Sequence, residues 1–372
     1  MKLKSFYALC GATAVAVIGA IAIIAAQPSY ESPDAKGELL FPGLLSNVNK
    51  LKTVAVKTRD GAYTFDLGQN GWQFRERDNY AADDKKINEL VLRLARMQKL
   101  EAKTKLESHY ERLDLGAVDQ TRAKQVQLID REGKTLADVV IGKRKFTLGS
   151  KEGGTYVRLP GDAQTWLALG ELTPGEKARD WLKRDVVDIK DKSIKRVTVT
   201  HPGGEKVIVA KAKPDDISLK IQGIPAGKEP SSDFVADEFG RVLALFMLDD
   251  VQKAGRIAFP ADKTIKAEFE GVDGFKVFVD LVEVEGKNWV KVRGEGGTSS
   301  SATAPQTLTP PPSAAAAPDS QPAQPETQTD WAKTIADLNA RTDGWVFEVP
   351  TYEIAPLKKR MADITKKIEP KS

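Results

Sequence analysis

The chain has 372 residues, enough for two ordinary domains each burying a core of its own. Hydrophobic residues make up 41% and charged residues 29%, the balance of a folded protein rather than a disordered or many-span one. With 56 basic against 52 acidic residues the net charge is +4, too weak a field to steer the chain toward nucleic acid, and the single cysteine excludes an intrachain disulfide.

In chain order, the first element is an apolar run, residues 6–26, that carries no charge. As a helix rising about 1.5 Å per residue it covers roughly 31 Å, close to the hydrocarbon thickness of a bilayer. Lys2 and Lys4 precede it and Glu31 and Asp34 follow. The positive-inside rule then predicts a single-pass inner-membrane helix, residues 1–27, with the N-terminus cytoplasmic and the body periplasmic. The competing reading is a cleaved signal peptide ending at Ala20-Ile21-Ala22. Apolar residues and Ala25-Ala26 continue beyond that site, which favours an uncleaved anchor. Cys10 precedes most of the apolar run and follows no small-residue spacer, so it does not read as a lipidation site.

The body reads as an internal repeat. Lys52-Thr53-Val54-Ala55-Val56-Lys57 before Gly61 is matched by Lys195-Arg196-Val197-Thr198-Val199-Thr200 before Gly204, each a strand entering a hairpin. Asp83 through Leu100 places Ile87, Leu90, Val91, Leu94 and Met97 at helical spacing behind an Asp-Asp start. Asp233 through Val251 reads as its partner helix, with Val242, Leu245, Leu248 and Val251 on the matching stripe. Val126–Ile129 with Leu136–Ile141, and Ala267–Glu270 with Phe275–Val282, read as paired strands, extended by Thr155–Arg158 and Trp289–Val292. The closing segments Trp181–Ile189 and Pro356–Ile364 are also alike.

These readings predict an α+β protein in which a transmembrane helix precedes two repeated units, residues 39–180 and 181–369. Each is expected to be a mostly antiparallel sheet with one long packed helix. Residues 298–329 are almost wholly Ala, Pro, Ser, Thr and Gln, a composition that cannot offset its ordering entropy, so they read as a disordered insertion in the second unit.

Signals of chemistry are sparse. Gly133-Lys134-Thr135 ends like a phosphate-binding loop, but the glycine required five residues earlier is Leu128. His109 and His201 have no second ligand at metal spacing, and no serine sits in a nucleophile motif. The paired carboxylates Asp83-Asp84, Asp215-Asp216 and Asp249-Asp250 read as a helix cap, a turn and a helix end. Lys143, Arg144 and Lys145, in a glycine-bearing loop, are the candidate contact for an anion or a partner; the alternative is a solvated hairpin tip. Trp72, Trp166, Trp181, Trp289 and Trp345 read as packing residues, or as platforms in a groove between the units. No catalytic residue, cofactor or metal is expected, and the protein is not read as an enzyme.

Several segments together resemble the uncharacterised bacterial envelope family named domain of unknown function 4340. They are the N-terminal apolar run, Leu39-Leu40-Phe41-Pro42-Gly43-Leu44-Leu45, Gly71-Trp72, Ala137–Lys143 before Tyr156-Val157-Arg158, and Trp181-Leu182 to Asp188. The resemblance covers most of residues 39–297 and brings no functional residues with it. Members of the family are associated with auxiliary components of gliding-motility-type ABC transporters. The resemblance thus implies a non-catalytic, membrane-anchored periplasmic accessory of an ABC-type transport system, its partners the permease or auxiliary subunits. The alternative is a periplasmic module that binds a glycan or lipid in a groove between the units.

Overall fold

A computed structural model describes residues 37–146, 153–213, 215–297 and 329–368. In chain order the strands of the first half are β1 (Glu38–Leu39), β2 (Leu51–Thr58), β3 (Gly61–Gly68), β4 (Gly71–Phe74), β5 (Tyr80–Ala81), β6 (Gln98–Ala102), β7 (Lys124–Asp130), β8 (Thr135–Lys145), β9 (Gly154–Arg158) and β10 (Thr165–Leu169). The second half supplies β11 (Asp185–Val187), β12 (Ile194–Thr200), β13 (Lys206–Ala210), β14 (Lys220–Gln222), β15 (Lys228–Pro230) and β16 (Phe246–Met247). It continues with β17 (Asp250–Lys253), β18 (Ile265–Gly271), β19 (Lys276–Val284), β20 (Lys287–Glu295), β21 (Trp345–Val349) and β22 (Thr365–Lys367).

Period-two burial explains why these segments are strands. In β7, Val126 and Leu128 are fully buried, and the residues between them face outward; in β12, Val197 and Val199 do the same. Tight turns carried by left-handed glycines, Gly133 between β7 and β8 and Gly274 between β18 and β19, set the register. All pairs are antiparallel. The first half forms one ten-stranded sheet in the order β1-β6-β10-β9-β8-β7-β2-β3-β4-β5, and the second an eight-stranded sheet in the order β14-β13-β12-β18-β19-β20-β21-β17. Read from β17, the second sheet reproduces the order of the first read from β6, strand for strand as far as β4 and β14.

The expected α+β class, with one long helix on each sheet, is corrected: the described residues are mostly antiparallel sheet with few, short helices. Asp84–Arg96 is a helix of 13 residues, capped by the Asp83 carboxylate on the amides of Lys85 and Lys86. Its buried Ile87, Leu90, Val91 and Leu94 each contribute about 1.5–3 kcal/mol on full burial. The second half has no counterpart of that length at the matching place. Asp233–Val251 holds only a four-residue helix, Asp237–Gly240, and a single 3-10 turn, Arg241–Leu243, before β16 and β17. Phe239, Val242 and Leu243 of these turns are buried, as is Phe246 in β16; Leu245, expected in the core, is 63% exposed at φ 58°. Pairing of β16 with β11 and of β17 with β21 overrides helix propensity there. A helix of 12 residues, Trp331–Thr342, instead packs on β20 after the insertion.

No helix of the described residues is long and apolar enough to cross a membrane. Their apolar residues alternate through short strands instead of forming one run. The expected anchor, residues 6–26, lies outside the described residues, as does the insertion but for Thr329. The expected single-pass inner-membrane placement with a periplasmic body is corrected on that finding, which is made of the described residues.

Both halves share one continuous core. The segment after β10 stitches them: Asp83 N–H donates to the Trp181 carbonyl at 2.7 Å, Lys183 N–H to Ala81 at 3.2 Å, and β11 then pairs with β16. The guanidinium of Arg77 grips both carboxylate oxygens of Asp250 at 2.5 and 2.9 Å, and Arg256 meets Asp78 at 2.8 Å. Tyr80 packs edge-on to Trp345, ring centroids 4.9 Å apart.

Candidate functional site

A concavity lies in the first half, between the helix Asp84–Arg96 and the segment Glu171–Gly175 that follows β10. It comprises a cavity of about 480 Å³ and a second of about 420 Å³ that share Arg93 and Glu171. The helix supplies Lys86, Glu89, Leu90 and Arg93, which share one face at helical spacing along the border of its buried stripe. The far wall is Glu171–Gly175, and the buried Trp181 closes the floor.

Most charges in the groove are satisfied from within. Arg93 pairs with Glu89 at 2.6 Å and donates to the Glu171 carbonyl at 3.2 Å. Lys86 donates to the Asp180 carbonyl at 2.9 Å, and the Asp180 carboxylate accepts the amides of Glu176 and Lys177. The carboxylate of Glu171 is met by Arg144. Arg96, exposed at the end of the helix, has no acidic partner among the described residues.

The structure spreads out the three basic residues picked from the sequence. They occupy the end of β8, not a hairpin tip, where the register shifts between Ile141 and Arg144. Gly142 sits at that shift because a side chain there would collide with the Leu113 carbonyl, 2.1 Å from the position of a Cβ. Lys143 points to solvent, Arg144 turns to Glu171 and lies 4.7 Å over the Phe146 ring, and Lys145 is half-buried beside Gly154. Arg144 alone reaches the groove wall.

The other candidates serve structure. Asp84 accepts the Trp72 amide at 2.7 Å, Asp216 the Lys213 amide, Asp249 is paired with Arg184 and Asp250 with Arg77. His201 is buried with Nε2 3.0 Å from the Lys359 carbonyl, and His109 ends a short 3-10 turn. Among the described residues no group of three His, Cys, Asp or Glu side chains could hold a metal ion. Trp72, Trp181 and Trp289 are buried, while Trp166 and Trp345 are half-buried under Lys99 and Lys253. Only Trp181 of the five lines the groove beside the helix Asp84–Arg96.

Burial pushes the Tyr80 phenol, at the contact between the units, up to about 12. Burial also raises the Glu353 carboxyl above its ordinary value, with Arg184 opposing and Asp249 adding to the rise. Sequence reasoning missed the groove, since Glu171-Leu172-Thr173-Pro174-Gly175 carries no periodic signal and the helix face opposite reads as a solvated polar surface.

Residues 72–238 match the model of the family described as Domain of unknown function (DUF4340), which supports that family for the chain. The matched span runs from β4 through the linker into the short helix Asp237–Gly240, so it crosses both units. No curated protein and no solved structure matches the chain.

Proposed function

We propose that this protein is a non-catalytic accessory subunit of an ABC-type transport system, working through contacts made by its folded surface. The observation that carries the reading is that, Arg96 apart, the ionisable groups named below in the groove beside the helix Asp84–Arg96 are committed to structure. Lys86, Glu89, Arg93, Glu171 and Asp180 hold one another or the backbone, which suits a binding surface better than a reacting one. The interlocking of two sheets through Arg77, Asp250 and Tyr80 supports a rigid body that presents fixed faces to a partner. The transport association comes from the family resemblance.

Affinity purification of the tagged chain from gently solubilised membranes tests this. Permease, ATPase or auxiliary subunits are expected in constant ratio to the bait. Recovery of the chain alone across several detergents would refute the proposal.

A further inference from the structure

The wall of the groove is the segment Glu171–Gly175, which follows β10 and belongs to no strand. The named strand pairs of β10 end at Leu169, which faces Gly154 on one side and Gln98 on the other; Gly170, at φ 112°, donates to the Gly153 carbonyl at 3.0 Å and turns the chain into Glu171–Gly175. Leu172 and Pro174 are buried while Thr173 between them is exposed. In extended backbone, successive residues direct their N–H and C=O groups to opposite edges. Leu172 N–H donates inward to the Thr155 hydroxyl at 3.1 Å, so Glu171 and Thr173 present theirs to the groove edge. Arg93 takes the Glu171 carbonyl there. The Glu171 N–H and both backbone groups of Thr173 have no partner among the described residues.

Two further observations point to a ligand. The Trp181 indole N–H, buried at the floor beside Gly175, has no acceptor among the described residues. Arg96 stands at the end of the groove as its one unpaired cation among the described residues.

We propose that this groove binds an extended peptide segment of a partner protein, which adds alongside Glu171–Gly175 as a strand and sets an acidic side chain against Arg96. Main-chain hydrogen bonds to Glu171 and Thr173 supply register, as in other cases of strand addition, and the Arg96 contact supplies selectivity. The volume suits a segment of a few residues. The inference deepens the accessory reading and depends on it only for the partner's identity.

The test uses the full chain and a phage-displayed library of random heptapeptides. Selected peptides are expected to share an Asp or Glu, and binding of one of them should protect the Glu171 and Thr173 amides from hydrogen exchange. Arg96→Glu, at an exposed helix end and checked for an unchanged melting temperature, should weaken such a peptide by about tenfold or more. Replacing the peptide's acidic residue by Lys should restore binding to that variant. No enrichment over the unselected library, amide protection elsewhere, or an affinity indifferent to Arg96→Glu would each overturn the proposal. Peptide binding without recovery of transport subunits would keep the groove and sink the accessory reading; transport subunits recovered equally by Arg96→Glu and Thr173→Pro would do the reverse.

Discussion

Leu245 shows how much a single residue can depart from its sequence pattern. Its spacing from Val242 and Leu248 reads as core, yet it takes a left-handed backbone and projects into solvent, because Phe246 must reach β11. A leucine in that conformation costs roughly 1–2 kcal/mol, and an exposed side chain returns little packing. Leu245→Gly should therefore stabilise the protein by about 0.5–1 kcal/mol, read as a higher denaturant midpoint. A fall in the midpoint would mean that Leu245 packs in solution. Tyr80 makes a second prediction. Its folded phenol titrates at about 12 against an ordinary value of 10.0, so the folded state holds the proton more tightly. The corresponding stability is fully present below pH 10 and is lost as pH rises through about 12, on the order of 2–3 kcal/mol. Tyr80→Phe should remove that component of alkaline unfolding while changing stability little at neutral pH, as melts across pH 8 to 12 would show.

At the scale of elements, the long strands were legible because their alternation is local and their turns carry glycine or aspartate. The helix Asp84–Arg96 was legible from its cap and stripe, although Met97, read as part of the stripe, is already extended where the helix ends ahead of β6. The short strands β5, β16 and β17 were not, since each exists only by pairing with distant chain. The helix Trp331–Thr342 also escaped notice, and its role is specific. Asn339 donates to the Gly294 carbonyl at 2.9 Å and accepts the Gly294 amide at 2.7 Å, so that one side chain replaces a strand partner where β20 outruns β21. Gly294 is needed there, because a Cβ would meet Ile335 at 2.9 Å. Asn339→Ala leaves two buried backbone groups unpaired and should cost about 1–3 kcal/mol in chemical denaturation. A cost near zero would show that the edge is satisfied by other means.

For the whole molecule, the recurrence of strand pairs could be read from sequence, whereas the locking of the two units could not, since nothing local marks Arg77 as the partner of Asp250. That pair is bidentate and about three-quarters shielded on both sides, with side-chain exposures of 27% and 22%. A double-mutant cycle of Arg77→Ala and Asp250→Ala should give a coupling of about 1–3 kcal/mol, well above a surface ion pair. Additive effects would mean that the units are held by Tyr80 and the stitched linker instead.

The accessory reading predicts that this rigid body touches a transport subunit in the cell, whichever face it uses. Photo-crosslinking tests that directly, with the reactive residue placed at the exposed positions Thr173, Leu245 and Tyr352 in turn. On this reading, an adduct of defined mass, containing a subunit of an ABC-type transporter, is expected from at least one position. Adducts only with unrelated abundant proteins, or none from any position, would contradict it.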